Sequence, residues 1–470
     1  MKFSTRQIGA FIQSITVRPA ATILLSFVIV ILCGTLLLQL PFTTVDGMGL
    51  TPVNALFTAT SAVCVTGLIV VDTAAFLTFW GQLIVLILIQ IGGLSFMVLS
   101  YFAIFVLHRS VSVEDKLLLS YLLNEDDMTG LAKTVSRIIY ITFTFEAAGA
   151  LILLTRFVPR YGLSGSTVFN ALFHGISAFC NAGFSLFSDS LEQFSSDPVV
   201  LLTIGLLIIF GGLSFGVIIN AGRSAKVLFS KKKTPAGKLS LNTKVVLAGT
   251  GILLTAAFFI IYPLEHGNTL QHYSLGNQYL NTFFQAVTLR TAGFNSIPFG
   301  HLTTTTYLVL IVFMFVGGAT GSTAGGIKIN NAAVMYGYIK SILSGSDSVV
   351  LFKHSISENQ VNKSFLVFTF SIMAVIGGTI ILSASDGLHG AFGAHGAQAR
   401  LPHILFETVS ALGTVGLSAG ITPDLSTTGK LVISGLMLLG RIGPITVLAA
   451  GAGGKEKVRM EYPQGDITIS

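Results

Sequence analysis

The 470-residue chain is 52% hydrophobic and 10% charged, with a mean hydropathy of +0.80. So little charge cannot cover a soluble globule, and the composition points to an all-α polytopic membrane protein. The net charge of +7 reflects where cations stand relative to the apolar segments and gives no sign of a nucleic-acid partner.

Apolar stretches of span length occur at about 20–40, 82–107, 138–155, 199–222, 245–262, 306–340, 364–384 and 431–450, which predicts eight full spans. Between members of each pair lies a shorter apolar stretch, at 54–72, 170–189, 281–300 and 403–422, that reads as a small helix running into a one-glycine turn. Too short to cross a bilayer, each is expected to be a re-entrant loop, tolerated at membrane depth only where it is buried in protein or lines a wet cavity. The chain therefore divides into four repeats, 1–110, 111–240, 241–363 and 364–470, the last with a polar tail. Each repeat reads as span, re-entrant pore helix and loop, span, and together they predict pseudo-fourfold symmetry around one pore.

Twenty of the 27 lysines and arginines fall on the N-terminal side of the spans, four on the opposite side (Arg156, Arg160, Arg400, Lys430) and three at membrane depth (Arg290, Lys328, Arg441). The positive-inside rule then places both termini and the connections near 108–137, 223–244 and 341–363 in the cytoplasm, so the four loops enter from outside. The run of lysines at 231–233 reads as a stop-transfer flank beside anionic headgroups. Asp46, Asp72, Asp189, Glu192, Asp197, Glu265, Asp386 and Asp424 fall on the outer side, where they either concentrate cations or serve as solvated loop carboxylates. Lys2, Arg6 and Arg18 precede the first apolar run without a small-residue cleavage site, so a retained first span is expected. Cys33, Cys64 and Cys180 lack metal-ligand spacing and read as packing residues.

The re-entrant stretches carry Val-Thr-Gly-Leu at 65–68, Asn-Ala-Gly-Phe at 181–184, Thr-Ala-Gly-Phe at 291–294 and Thr-Val-Gly-Leu at 414–417. Glycine at each turn would let successive backbone carbonyls face a pore, and carbonyls that replace a hydration shell are how cation filters work. The sixth span is interrupted by five glycines in the ten residues 317–326, which cannot hold a straight helix. Arg290 and Glu407 stand within the third and fourth re-entrant stretches, where isolated charges are costly, and are expected to pair behind the turns. Arg441 lies in the last span beside Gly440, Gly443 and Pro444.

On these residues and the four-unit layout, nearly the whole chain resembles the Trk/Ktr/HKT superfamily of potassium transporters, most closely the bacterial Ktr-type membrane subunit. The resemblance implies a potassium-binding selectivity filter formed by Val65, Thr66, Gly67, Asn181, Ala182, Gly183, Thr291, Ala292, Gly293, Thr414, Val415 and Gly416. It implies an intramembrane gate loop beneath the filter, made of Gly317, Gly318, Ala319, Thr320, Gly321, Ser322, Thr323, Ala324, Gly325 and Gly326 and faced by Arg441. It implies a homodimer in a bacterial plasma membrane, regulated by a cytoplasmic ring of RCK-domain subunits that bind ATP or ADP. The loops lack the second glycine of the TVGYG pattern of potassium channels, so fewer ordered carbonyl layers are expected. Sodium-preferring relatives tend to carry serine in the first loop, where this chain has Gly67. Dependence on sodium, a sodium transporter of the same superfamily and an ion-binding subunit of an ATPase-coupled pump remain open readings here. No enzyme signature stands out: there is no Walker loop or dinucleotide fingerprint, and His174 reads as a hydrogen-bonded residue rather than a catalytic one.

Overall fold

The computed structural model describes residues 19–94, 131–228, 239–385 and 401–451. Within them one antiparallel ribbon, β1 (Val350–Leu351) against β2 (His354–Ser355), accompanies an otherwise helical chain. The helices repeat one order. The first group is α1 (Pro19–Leu38), α2 (Pro52–Val63) and α3 (Phe79–Leu94). The second is α4 (Leu131–Tyr161), α5 (Gly165–Phe179) and α6 (Pro198–Gly212), with α7 (Phe215–Leu228) beyond it. The third is α8 (Leu241–Glu265), α9 (Leu275–Thr288) and α10 (Thr304–Met314), followed by α11 (Ile329–Leu343). The fourth is α12 (Glu358–Ser385), α13 (Leu401–Gly413) and α14 (Thr427–Ile442), followed by α15 (Pro444–Gly451).

Local chemistry sets where many of these helices start. The hydroxyls of Ser164, Ser240, Thr303 and Ser426 accept from the amides of Thr167, Thr243, Thr306 and Gly429, and the Asp197 carboxylate accepts from Val199 and Val200. Pro52 and Pro198 occupy first-turn positions, where a missing N–H costs nothing.

Two of the expected spans, at 199–222 and 431–450, are broken. Among the described residues four helices, α1, α4, α8 and α12, are long and apolar enough to cross a membrane, or five if the bent pair α6–α7 counts as one span. That pair turns by 103° at Leu213–Ser214, so the stretch at 199–222 is not one straight helix. The stretch at 431–450 likewise divides at Gly443, whose φ of +90° leaves the helical region, and Pro444, which starts α15. Averaged hydropathy passes over both breaks because most flanking residues are apolar, while single residues such as Gly443 and Pro444 decide the backbone path. Residues 95–107 of the expected second span lie outside the described residues.

The units meet head to tail. Each second helix packs against the short helix of the following group, α3 on α5, α6 on α9 and α10 on α13, and α14 returns to α2. Within three groups a glycine also lets the second long helix approach its own short helix: a Cβ on Gly92, Gly211 or Gly440 would strike the carbonyl of Val63, Phe179 or Leu412 in the last turn of that short helix. Phe57, Phe173, Phe179, Phe284, Phe294 and Phe406 fill the interior around the short helices. In lipid, such dense packing, rather than escape from water, holds helices together. Cys64 and Cys180 belong to this interior, but Cys33, expected to pack inside as well, is exposed on α1.

Candidate functional site

The four glycine turns close a ring. A Cβ on Gly67 would lie 2.5 Å from the Ala182 oxygen, one on Gly183 2.7 Å from the Ala292 oxygen, and one on Gly293 2.9 Å from the Val415 oxygen. A Cβ on Gly416 would strike the Thr66 oxygen, which brings the circuit back to the first turn. All four glycines have positive φ, from +71° at Gly183 to +97° at Gly67. Two residues earlier, Val65, Asn181, Thr291 and Thr414 are also left-handed, with φ between +49° and +60°. For β-branched residues that conformation costs about 1–3 kcal/mol, so three of the four turns hold strained backbone.

Each turn is braced from its own helix. Ser61 and Ser410 present hydroxyls to the amides of Gly67 and Gly416 at 3.1 Å, and the Ser177 hydroxyl donates to the Phe184 carbonyl at 2.7 Å. In the third copy Thr288, five rather than six residues before its glycine, donates to the Phe294 carbonyl at 2.6 Å. Ala292 accordingly bonds to the carbonyl four residues back, whereas Thr66, Ala182 and Val415 reach five back. The helices α2, α5, α9 and α13 thus end at the ring, with their negative dipole ends beside it. The hydroxyls of Thr66, Thr291 and Thr414 are buried without a protein partner.

Arg290 and Glu407 do not pair. Glu407 is fully buried and satisfied within its own loop, accepting from the Ser418 hydroxyl at 2.5 Å and the Ala419 amide and Thr422 hydroxyl at 2.9 Å. These donors follow Gly416 directly and take up both carboxylate oxygens. Arg290, 6% exposed, instead donates to the Gly317 carbonyl at 3.3 Å, leaving Nη1 unpartnered, and so ties the third turn to the glycine-rich loop.

That loop, 317–326, lies across the side of the ring where the short helices end. Gly317 and Ile329 are anchored by the Ile327 and Gly318 carbonyls at the loop's base. Ala319 N–H donates to Gly212, and the Thr323 hydroxyl is within 2.8 Å of the Gly211 carbonyl, 3.2 Å of the Phe179 carbonyl and 3.3 Å of Asn181 Oδ1. A Cβ on Gly325 would meet the Thr414 side chain, one on Gly317 would lie 3.2 Å from Thr291 Cγ2, and the Gly326 amide donates to Gly440. Arg441 donates to the carbonyls of Thr323 and Gly92, and the Lys328 ammonium donates to Ala324. Thr320 and Ser322 point elsewhere: Thr320 bonds Asn330, and Ser322 closes a local turn on Ala319. Contacts from the second, third and fourth turns, with Arg441 bridging to the first group, place the loop across the ring's whole width.

On the opposite side the turns open into a cavity of about 270 Å³ lined by Gly67, Gly183, Gly293 and Gly416 together with Asp72, Asp189 and Glu192. Among the described residues no basic side chain lines it. Asp72 also accepts from the amides of Ala74 and Ala75, and Asp189 from Gln193, so both cap turns while facing the cavity. Glu192 accepts from Asn295 at 2.7 Å, which joins the loops after the second and third turns. Its burial, and next the neighbouring Asp189, push its pKa above the usual carboxylate value. Glu265 departs from the expectation of an outer-mouth carboxylate: fully buried, it accepts from Asn268, Thr269, Thr303 and Thr306. Asp197 pairs with Arg156 at 2.9 Å, Asp46 accepts from Thr44, and Asp424 is exposed away from the cavity. Asp386 and Arg400 lie outside the described residues. His174 is buried, its Nδ1 donating to the Asn170 carbonyl at 2.7 Å and its Nε2 3.0 Å from the Ser185 hydroxyl.

Sequence reasoning missed Glu146, a carboxylate 2% exposed in the middle of α4. It lies 3.4 Å from Gln90 Nε2 and 3.7 Å from the Cys180 thiol, beside the end of α5 that leads into Asn181. An acid isolated in an apolar span was the available signal.

Residues 13–455 match the TrkH family model, described as a cation transport protein. The chain is similar to Ktr system potassium uptake protein B of Bacillus subtilis, with 37% identity over 98% of this chain and 99% of that one. It is also similar to Potassium/sodium uptake protein NtpJ of Enterococcus hirae, with 33% identity over 96% of this chain and 97% of that one. The crystal structure of the potassium transporter TrkH from Vibrio parahaemolyticus superposes with a TM-score of 0.68 at 19% identity, covering 90% of this chain and 83% of that one.

Proposed function

Because the chain belongs to the TrkH family of cation transport proteins, we propose that it carries potassium into the cell through the ring of Val65–Gly67, Asn181–Gly183, Thr291–Gly293 and Thr414–Gly416. The observation that carries this reading is the closed circuit in which each glycine meets the carbonyl before the next. Four left-handed turns in register present backbone oxygens from four sides, and oxygens in that arrangement replace a cation's water shell. The partnerless hydroxyls of Thr66, Thr291 and Thr414 suit a cation too, since each oxygen has lone pairs to offer. The carboxylates of the cavity above raise the local cation concentration, and the short helices' C-terminal ends favour positive charge at the ring.

In this reading 317–326 is the gate, and it blocks the path because Arg441, Lys328 and Arg290 hold its carbonyls. A cationic side chain beneath a cation filter also raises the barrier directly. Both termini lie in the cytoplasm, the membrane subunit works as a homodimer, and a separate nucleotide-binding ring moves the gate. The naming of the similar Ktr proteins as members of a system supports a multi-component assembly. The name of the Enterococcus hirae relative favours keeping sodium as a second transported or activating ion.

Rubidium and sodium uptake into liposomes holding the purified protein tests the proposal. Rubidium flux that exceeds sodium flux and is inhibited by potassium is the expected result. Equal fluxes would support the sodium reading, and no flux of either ion, even with the gate loop shortened, would overturn both.

A further inference from the structure

A second cavity, of about 710 Å³, lies beside the far side of the glycine-rich loop and is lined by Thr320 and Gly321 of that loop. The first turns of four helices open onto it: Phe215 and Gly216 of α7, Leu241 and Asn242 of α8, Asn330 and Asn331 of α11, and Gln360 of α12. Arg137, Arg223 and Lys363 line it as well, and among the described residues no carboxylate does. The one ion pair among the described residues, Arg156 with Asp197, lies elsewhere and relieves none of the three. An excess of basic residues at the cytoplasmic membrane edge is common. Here three cations, four positive helix ends and several side-chain amides surround one space, a combination that a cation path would not select for its own sake.

We propose that this cavity binds a phosphate group, from an anionic lipid headgroup or from a soluble phosphate compound. Helix N-termini and guanidinium groups are the standard partners of phosphate oxygens, and basic pockets between spans on the cytoplasmic side accept lipid headgroups. Asn330 gives the site a route to the loop: its Oδ1 accepts from the Thr320 amide at 3.2 Å, while its Nδ2 donates to Asn242 Oδ1 at 2.6 Å. Phosphate oxygens compete for that Nδ2 donor, so occupancy shifts the anchor of Thr320 and offsets the positive charge that faces a departing cation. Binding stands on the cavity alone, whereas this effect on flux rests on the gate reading above.

The test uses the full chain in nanodiscs. One arm compares phosphatidylglycerol with phosphatidylcholine bilayers, counting lipids retained by native mass spectrometry; the other titrates inorganic phosphate in phosphatidylcholine alone. Retention of phosphatidylglycerol identifies a lipid source, and saturable phosphate binding a soluble one. In either case the triple variant R137Q/R223Q/K363Q weakens binding roughly tenfold or more, while Lys340→Gln, a cation that does not line the cavity, leaves it unchanged. Should the triple variant fail to fold, R223Q and K363Q singly each weaken binding severalfold. Absence of binding in both arms, or equal binding by wild type and the cavity variants, overturns the proposal. Rubidium flux is read separately, so loss of conduction leaves the binding result standing.

Discussion

At the scale of single residues, glycine spacing made the four turns legible, because only repetition at matching places in four units separates a structural motif from ordinary tight turns. What the letters did not disclose is that Val65, Thr291 and Thr414 are left-handed as well, since β-branched residues carry no preference for that region. Nor could they disclose the partners of Glu407, because the competing donors, Ser418, Ala419 and Thr422, stand in the same loop and resemble any polar loop residues. Gly67→Ser and Gly293→Ser each place a Cβ against a neighbouring turn and add about 1–2 kcal/mol of left-handed strain. Both are expected to lower the ratio of rubidium to sodium flux; variants that keep wild-type selectivity and potassium affinity would remove these turns from the filter. Glu407→Ala leaves one amide and two hydroxyls without their acceptor, at about 1–3 kcal/mol for each group that stays dry. A clear fall in unfolding temperature in detergent is expected, and an unchanged temperature would mean that the loop after Gly416 repacks freely.

At the scale of elements, the long first helix of each unit was readable from hydropathy, but the breaks in the second helices of the second and fourth units were not, because they are written in single residues. Leu213–Ser214 and Gly443–Pro444 divide stretches whose average apolarity is unbroken. The glycine-rich loop was visible from composition, but composition does not show how it is anchored. Thr323 alone approaches Gly211, Phe179 and Asn181, and Arg441 spans from Thr323 to Gly92 on another unit. As the proposed gate, the loop would open only by exchanging several bonds together, which suits movement by the proposed partner rather than free fluctuation. Arg441→Ala, which removes a cation and two anchors, is expected to raise partner-independent rubidium flux several-fold. Deleting several residues within 317–326 should do the same while the rubidium-to-sodium ratio stays near wild type. A folded deletion protein that conducts no faster than wild type without its partner would leave these glycines as packing residues.

At the scale of the whole molecule, charge is divided between the two faces of the ring, with carboxylates on one side and cations on the other. This polarity was legible from counting lysines and arginines along the chain, although which carboxylates reach the ring was not, since Glu265 and Asp197 are consumed by local structure. Asp72, Asp189 and Glu192 remain, and at Glu192 burial, and next the neighbouring Asp189, disfavour the charged form. A raised pKa means that, as pH falls, Glu192 takes up its proton before a carboxyl at the ordinary value of about 4.3 would. The cavity then loses part of its negative potential. The apparent KM for potassium is accordingly expected to rise as the outside is acidified from neutral, with a smaller change in maximal flux, because the ring itself is untouched. Glu192→Gln should show the higher KM already at neutral pH and a flatter profile below it. Added choline chloride should shrink the difference between the two proteins, since salt screens exposed charge over about 10 Å at 0.1 M. Identical KM profiles for wild type and Glu192→Gln across that range would show that this carboxylate does not gather cations, and would confine the acidic cavity to the turn-capping bonds that Asp72 and Asp189 make.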